Sequence, residues 1–294
     1  MLTAARVDAS FSSMQRVLNI LRLIRFVNCL MAAAGVWIGA FLTWLMPDYR
    51  AAILPSLAAF FVCAAGNALN DILDLRIDRV NRPQRVLACC KLTVRAAWIT
   101  SALATSLALV SALFANTAVM TAVFAALLML AAYNYVLKRV PVVGNVVVAA
   151  LTGLTFYTGG LAVDPRLALV LPGPLVPAVF ALLFHLVREL IKDVQDLEGD
   201  SRAGVRTLPQ IIGVSRTLIV ALAVFFLLVI ATYVPVVTGW FGKAYRIIAI
   251  YCMDLPLLAL LAILWGNPSP VMLRITSAAL KVGMVLGLIA LVLG

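Results

Sequence analysis

Two clusters of carboxylates stand out in this chain of 294 residues, 64% of which are hydrophobic. Eight of the twelve acidic residues fall into these clusters, and each cluster spaces its aspartates at i, i+3 and i+7. The aspartates are Asp71, Asp74, Asp78, Asp193, Asp196 and Asp200. On an α-helix this spacing places three carboxylates within an arc of roughly 60°. We expect two carboxylate ladders that share one site for a polycation.

Magnesium chemistry fits such ladders, because Mg²⁺ prefers oxygen ligands and often bridges protein carboxylates to substrate phosphates. The ladders could hold a diphosphate between them, with basic residues on the remaining phosphate oxygens. A neutralised diphosphate is a leaving group, and an apolar cavity shields the allylic cation that it leaves behind. The candidate metal ligands are Asn67, Asn70 and the six aspartates, and the candidate phosphate contacts are Arg82, Lys138, Lys192 and Arg206.

These residue types have simpler interpretations as well. Charge runs in membrane proteins often only solvate the ends of loops, and basic residues there can anchor loops to lipid headgroups. Asn67 and Asn70 could cap a helix instead of binding a metal. A solvated charge run would not require helical spacing twice, however, nor acids that extend back into apolar sequence. We therefore favour the binding site.

The sequence around the clusters indicates which elements position them. A mean hydropathy of +1.09 with 12% charged residues is typical of a polytopic membrane protein. Nine apolar stretches are long enough to cross a bilayer, which predicts an all-α bundle in one domain over residues 1–294. The stretches lie near residues 27–46, 51–70, 95–115, 117–137, 141–163, 167–190, 216–237, 244–265 and 272–293.

The basic residues are distributed unevenly between the two sides of this bundle. With the N-terminus inside, 18 of the 23 basic residues fall in cytoplasmic segments, so the positive-inside rule fixes the orientation. Both aspartate clusters lie on that side, because an even number of spans separates them. The net charge of +11 suits an anionic leaflet and phosphate-bearing ligands and requires no nucleic acid. We expect a multi-pass protein of the cell membrane whose active-site loops face the cytoplasm.

The similarity between the clusters extends beyond the aspartates. At a constant offset of 122 residues, five polar positions of the first cluster align with five of the second. The pairs are Asn67 with Glu189, Asn70 with Lys192, Asp71 with Asp193, Asp74 with Asp196 and Asp78 with Asp200. This pattern predicts two related helical halves. Elsewhere, Lys281 and Asp254 are charged residues within predicted spans, and we expect them to form an interhelical pair.

At these residues the chain resembles the UbiA-type intramembrane prenyltransferases, which carry an NDxxDxxxD motif after the second span and a DxxDxxxD motif after the sixth. Here the motifs read Asn70-Asp71-Ile72-Leu73-Asp74-Leu75-Arg76-Ile77-Asp78 and Asp193-Val194-Gln195-Asp196-Leu197-Glu198-Gly199-Asp200. The resemblance covers the whole chain. It implies an all-α bundle around a central, laterally open cavity, Mg²⁺-dependent binding of a prenyl diphosphate, and transfer of the prenyl group to an acceptor.

Four further stretches look like the branch of that family typified by digeranylgeranylglyceryl phosphate synthase. They are residues 25–32, 188–200, 206–209 and 281–284. In that branch the donor is geranylgeranyl diphosphate, the acceptor is geranylgeranylglyceryl phosphate, and the product is an ether-lipid precursor.

One loop departs from the family pattern. Asn81-Arg82-Pro83 is commonly followed by a second proline and a glycine, whereas this chain continues Gln84-Arg85-Val86. Since that loop contributes to substrate selection, aromatic acceptors (4-hydroxybenzoate, naphthoate, homogentisate) and chlorophyll-type acceptors stay open.

Two hypotheses from other classes compete with the enzyme. Repeated halves and buried acids would also suit an ion or organic-ion transporter, although transporter acids lie near the bilayer midplane and these lie at one face beside basic loops. A membrane assembly factor without catalysis predicts that Asp74→Ala leaves its function intact. The enzyme is the leading hypothesis.

Overall fold

The computed structural model describes residues 14–43, 49–202, 204 and 206–294, and the regular elements of these residues are helices. The helices are α1 (Met14–Leu23), α2 (Phe26–Phe41), α3 (Tyr49–Leu73), α4 (Leu75–Asn81), α5 (Val94–Leu113), α6 (Thr117–Tyr135), α7 (Val143–Val163), α8 (Leu175–Gln195), α9 (Leu197–Arg202), α10 (Leu208–Ile212), α11 (Val214–Val237), α12 (Lys243–Gly266) and α13 (Pro270–Leu293). Short 3₁₀ turns follow α6 and α7, and α12 contains a π-helical segment, Arg246–Asp254. The predicted all-α class is confirmed.

Seven of the described helices are long and apolar enough to cross a membrane, namely α3, α5, α6, α7, α11, α12 and α13. α1 and α2 are bent by 58° relative to each other and make an eighth span if the pair counts as one. The remaining expected span is α8, which carries Arg188, Glu189, Lys192 and Asp193 towards its C-terminal end. The multi-pass bundle is confirmed, whereas the count of nine stays a prediction.

α8 can carry these charges because other helices enclose it. It contacts α7, α11 and α13. Its buried side chains Val187, Leu190 and Ile191 belong to the same apolar core as Phe225 and Leu228 of α11. Ionisable groups within such a bundle are retained where partners face them. The second aspartate motif thus begins at the C-terminal end of a well-packed helix.

The described residues up to Ala34, together with Leu54–Asn134, form one compact unit. Small residues let its helices approach each other closely. Ala64 and Ala65 of α3 share a buried cluster with Ala104 of α5, and the Ser101 hydroxyl donates to the Ala65 carbonyl at 3.2 Å. α3, which carries the first aspartate motif, is therefore held firmly against α5.

The described parts of Gly35–Ile53 and Tyr135–Gly294 form a second compact unit. α2 and α7 come into backbone contact within it. A Cβ atom on Gly39 would overlap the Phe156 carbonyl, and one on Gly159 would overlap the Val36 carbonyl. Only glycine permits so close an approach.

One buried acid of this second unit has a partner other than the predicted one. Asp254 of α12 is fully buried, and its Oδ2 accepts a hydrogen bond from the Thr232 hydroxyl at 2.6 Å. Lys281, the predicted partner, is exposed. The predicted ion pair is therefore wrong. The Thr232 hydroxyl of α11 satisfies one carboxyl oxygen of Asp254. Lys281 has a long side chain, which can extend away from an apolar helix and so needs no buried partner.

Candidate active site

The first aspartate motif lies where α3 gives way to α4. Asp71 is close to the end of α3, Asp74 lies between the two helices with φ −91° and ψ 4°, and Asp78 belongs to α4. Helical hydrogen bonds continue across this break. The Asp74 N–H donates to the Asn70 carbonyl at 2.9 Å and the Asp78 N–H to the Asp74 carbonyl at 2.8 Å. Asp71 and Asp78 are both buried.

The second motif repeats this local structure between α8 and α9. Asp196 lies between the helices with φ −91° and ψ 2°. Its N–H donates to the Lys192 carbonyl at 2.9 Å, and the Asp200 N–H donates to the Asp196 carbonyl at 2.9 Å. The same break and the same hydrogen bonds occur at corresponding residues. The local structure therefore supports the two related halves that the sequence repeat predicts.

Arg25 reaches the first motif from the bend between α1 and α2. Its φ of 53° lies in the left-handed region, which is uncommon outside glycine. The guanidinium donates to Asp71 Oδ1 at 2.7 Å and to Asn67 Oδ1 at 3.1 Å. Asn67 in turn donates to the Ile24 carbonyl at 2.8 Å. Asn67 therefore stabilises the bend, and the bend places the Arg25 guanidinium beside Asp71.

Arg85 supplies a second guanidinium to the same motif. Its Nη1 donates to Asp71 Oδ1 at 3.2 Å and also to Asp78 Oδ2. Val86 and Leu87 are buried and anchor the loop from which Arg85 extends. Burial raises the pKa of the Asp78 carboxyl above its ordinary value, although Arg85 acts in the opposite direction. A buried carboxyl of this kind is stabilised in its charged form by any further cation beside it.

Asp193 of the second motif has a neutral partner. Asn145, near the start of α7, donates through Nδ2 to Asp193 Oδ2 at 2.7 Å. Val142, just before α7, has a φ of 68°. That conformation is strained for a β-branched residue and persists only where surrounding contacts impose it. The start of α7 is thus held in the position from which Asn145 reaches α8.

Glu189 also differs from its counterpart in the first motif. It is buried, and its carboxylate binds the Arg188 guanidinium at 3.0 Å and the Lys192 ammonium at 2.9 Å. Asn67, at the equivalent position of the first motif, instead contacts Arg25. Both positions are therefore occupied by groups that bind basic side chains.

The four predicted phosphate contacts occupy different surroundings. Lys192 is bound to Glu189, as described above. Arg82 follows α4 and is half-buried, and its backbone N–H donates to the Asp78 carbonyl at 2.9 Å. Lys138 is half-buried in the 3₁₀ turn Leu137–Arg139, and Arg206 is exposed. Their contact with phosphate stays a prediction.

The donor set suits a metal ion that arrives together with a phosphate-bearing ligand. In the part of the chain that the structure describes, no group of three or more His, Cys, Asp or Glu side chains could hold a metal ion by itself. Mg²⁺ commonly uses only one or two protein carboxylates and completes its shell with water and substrate phosphates. Asp71, Asp78 and Asp193 fit that role. Asn67 fits it less well, because its Oδ1 already accepts from Arg25.

Three residues of the site were absent from the sequence-based candidates: Arg25, Arg85 and Asn145. Asn145 had a detectable signal, since it is an amide inside the apolar stretch 141–163. Arg25 had only its place in the stretch 25–32 that resembles the synthase branch, and its contact with Asp71 had no signal because 46 residues separate the two in the chain. Arg85 was one of several arginines in a basic loop, and spacing alone does not distinguish it from the others.

The family model described as the UbiA prenyltransferase family matches residues 26–271 of the chain. Digeranylgeranylglyceryl phosphate synthase from Methanopyrus kandleri is 35% identical over 273 residues, which cover 92% of this chain and 96% of that protein. The protein of the same name from Methanococcus aeolicus is 35% identical over 280 residues, covering 93% of this chain and 96% of the relative.

Solved structures agree with these sequence relationships. One reported for digeranylgeranylglyceryl phosphate synthase in membranes has a TM-score of 0.75 at 33% identity and covers 95% of this chain and 98% of that one. A UbiA homologue from Archaeoglobus fulgidus, bound to GPP and Mg²⁺, shares the fold with a TM-score of 0.61 at 20% identity, over 93% of this chain and 99% of that one. The chain therefore belongs to the UbiA prenyltransferase family.

Proposed function

We propose that this protein transfers a geranylgeranyl group from geranylgeranyl diphosphate to geranylgeranylglyceryl phosphate, with Mg²⁺, in ether-lipid biosynthesis. One observation carries the proposal. Two aspartate motifs with the same local backbone lie at the ends of two helices. The chain that carries them is 35% identical to a digeranylgeranylglyceryl phosphate synthase over nearly its whole length. The shared name of these relatives supports the choice of branch as well as the family.

Both motifs would bind the diphosphate, with their six aspartates as ligands of the metal or of its water molecules. When bound, Mg²⁺ neutralises the diphosphate and makes it a better leaving group. Arg25 and Arg85 hold the first motif in position through Asp71. Their guanidiniums also match phosphate geometry, so they can turn from the carboxylates to phosphate oxygens. Arg82, Lys138, Lys192 and Arg206 are the further phosphate contacts that we propose.

The proposed reaction forms an ether. The acceptor hydroxyl oxygen bonds to C1 of the geranylgeranyl group while the bond between C1 and the diphosphate oxygen breaks. The electron pair of that bond leaves with the diphosphate, which also takes up the hydroxyl proton. An apolar environment keeps water away from the allylic carbon during this exchange.

We also propose a location in the cell membrane and an orientation for the bundle. Basic residues concentrate in the segments that carry the motifs and in the other segments on the same side of the bundle. This asymmetry supports a cell-membrane protein with both motifs at the cytoplasmic face.

The decisive experiment for the acceptor uses purified protein, Mg²⁺ and labelled geranylgeranyl diphosphate, with either geranylgeranylglyceryl phosphate or 4-hydroxybenzoate. We expect labelled product only with the glyceryl phosphate. Product only with the aromatic acid would overturn the acceptor while keeping prenyl transfer. No product across a panel of donors and acceptors would refute the enzymatic function.

A further inference from the structure

Glu189 is a buried acid of α8 that lies one helical turn before the second aspartate motif. Its side chain is only 7% exposed. The carboxylate Oε1 lies 3.0 Å from the Arg188 guanidinium and 3.6 Å from His185 Nε2. The other oxygen, Oε2, accepts a hydrogen bond from the Lys192 ammonium at 2.9 Å. Both carboxylate oxygens are therefore held by side chains of α8 itself.

Arg188 alone would balance the charge of this carboxylate, because a buried acid needs one cation in direct contact with it. Lys192 is a second cation. Its side chain is 39% exposed, and a lysine with that exposure can extend its ammonium into water. The ammonium instead turns back to Glu189, which costs side-chain conformational entropy. The contact thus fixes Lys192 beyond what charge balance requires.

The fixed ammonium lies beside the second motif. Lys192 directly precedes Asp193, and its carbonyl accepts the Asp196 N–H at 2.9 Å. The charges of Lys192 and Asp193 are close enough to attract each other. Glu189 and Asp193 are separated by four residues and so share one face of the helix. A lysine ammonium is a common phosphate ligand that acts as a point charge, so this position suits contact with a diphosphate.

The first motif has the same arrangement with different residues. Asn67 lies four residues before the first aspartate of its motif, as Glu189 does in the second. Its Oδ1 accepts a hydrogen bond from the Arg25 guanidinium at 3.1 Å, and that guanidinium also contacts Asp71. In each half, the side chain one turn before the first aspartate holds a basic group. The contact is kept although the residue type changes, which indicates the same role in both halves.

We propose that Glu189 is a positioning residue for the donor: its buried carboxylate holds the Lys192 ammonium where it contacts the diphosphate. The ammonium has three donors, so it can bind Glu189 and a phosphate oxygen at the same time. Glu189 touches neither substrate and acts through Lys192. The inference rests on the proposed function, and it goes further by giving a buried acid outside the six aspartates a role in donor binding.

The test measures equilibrium binding of labelled geranylgeranyl diphosphate to the full chain in nanodiscs, with Mg²⁺ and without acceptor. Glu189→Gln keeps the size of the side chain but removes its charge, so the donor Kd should rise about tenfold. Lys192→Gln should raise the Kd at least as much. Lys192→Arg keeps a cation that Glu189 can bind, so its Kd should stay nearer to that of the wild type. Glu189→Asp keeps the charge on a shorter side chain, and its Kd should be intermediate.

A double variant separates positioning from a general effect on the fold. Because Glu189 acts through Lys192, adding Glu189→Gln to Lys192→Gln should change the donor Kd by less than about twofold. The matched control is Asp254→Asn. Asp254 is also a buried acid of the second compact unit, but it binds a hydroxyl instead of a basic side chain. Its variant should bind the donor within about twofold of the wild type, since it shares no partner with Glu189.

Lys192→Gln also tests the contact from its other side, and it keeps the pair of Glu189 with Arg188 that balances the buried charge. Donor affinity equal to the wild type in either single variant would overturn the inference. Effects that multiply in the double variant would do the same, because Glu189 would then act independently of Lys192.

Turnover gives a further readout. Glu189→Gln should raise the KM for the donor about tenfold and leave the KM for the acceptor within about twofold. An equal rise in both KM values would indicate a loosened fold and would overturn the positioning role. Failure of the proposed function would look different, because the wild type would then bind the donor but form no product with geranylgeranylglyceryl phosphate.

Discussion

Asp71 and Asp193 occupy corresponding positions in the two motifs, but their partners differ in charge. Asp71 accepts hydrogen bonds from two guanidiniums, whereas Asp193 accepts one from the neutral amide of Asn145. A carboxylate beside a neutral partner keeps more of its attraction for a cation. We therefore expect Asp193 to be the stronger cation ligand before the donor binds. The first motif would gain its cation once the arginines turn to the diphosphate.

Asn145→Ala tests the role of this amide. Without its donor, Asp193 is less well oriented, and loss of such a supporting contact typically costs 10-fold to 100-fold in metal affinity or activity. We expect the Mg²⁺ concentration for half-maximal rate to rise by about that factor, with the rate largely restored at high Mg²⁺. The control is Thr152→Ala on the same helix, whose hydroxyl donates to the Val148 carbonyl at 3.1 Å. An unchanged Mg²⁺ dependence in Asn145→Ala would refute the positioning role.

Arg85→Gln tests the charge balance of the first motif. It removes a cation that Asp71 and Asp78 share, so we expect the Mg²⁺-free protein to lose about 1–3 kcal/mol of its free energy of unfolding. Added Mg²⁺ should replace that charge and raise the Tm of the variant more than that of the wild type. Thermal unfolding in detergent, with and without Mg²⁺, measures both effects.

Arg79→Gln is the control for that measurement, because Arg79 is an exposed arginine on α4, the short helix that carries Asp78. Equal Mg²⁺-induced shifts in the wild type and Arg85→Gln would contradict the proposed charge balance.

Spacing was sufficient to find the aspartates but not the residues that hold them. Six carboxylates at i, i+3 and i+7 stand out in an apolar chain because each is costly there. Arg25 and Asn145 come from helices that lie distant in the sequence, and their contacts depend on bends at residues 25 and 142. The two left-handed residues, Arg25 and Val142, are not glycines, so the sequence gave no sign of a left-handed backbone at these points.

At the scale of elements, the structure confirms the helices predicted at both motifs, and the sequence missed their interruption. Each motif continues from a long helix into a short one, and the helix breaks at the middle aspartate. Backbone hydrogen bonds from residue i+4 to residue i persist across both breaks, although Asp74 and Asp196 depart from helical φ and ψ. Each break falls at an aspartate, Asp74 or Asp196, and not at a glycine or proline, the residues that usually mark the end of a helix. The pattern of apolar residues therefore could not reveal the breaks.

Gly39→Ala tests the contact between α2 and α7. An added methyl group would overlap the backbone at Phe156, which cannot move aside as a flexible side chain could. We expect a loss of about 1–3 kcal/mol in the free energy of unfolding, the usual cost of overpacking. Gly266→Ala is the control, because a Cβ atom there would meet nothing within 4 Å. Equal stability of the two variants would contradict the close backbone contact.

For the whole molecule, composition predicted the membrane bundle but could not fix the number of spans. α8 shows why: its charges are acceptable because α7, α11 and α13 surround it. A hydropathy scale scores each residue as if lipid were its only neighbour, so it does not count the neighbouring helices that make the charges of α8 acceptable. The orientation rests on a separate property, the bias of basic residues to one side.

Cysteine labelling tests that orientation. Cys89 and Cys90 are exposed in the loop after α4, which we predict to be cytoplasmic. A membrane-impermeant maleimide should label them in inverted vesicles and not in intact cells. In a cysteine-free background, Asp164→Cys should give the opposite pattern, because Asp164 lies in a loop predicted to face outward. Labelling of Cys89 and Cys90 in intact cells would reverse the proposed topology.

The most direct measurement of the central claim is the formation of digeranylgeranylglyceryl phosphate and pyrophosphate by the purified protein from geranylgeranyl diphosphate and geranylgeranylglyceryl phosphate. We predict product with Mg²⁺ and none with a chelator present. Asp71→Asn and Asp193→Asn should each lower the rate on the order of 100-fold. Asp164→Asn, a carboxylate change outside both motifs, should stay within about twofold of the wild type. Product formed without a divalent metal, or at an undiminished rate in both motif variants, would contradict the account.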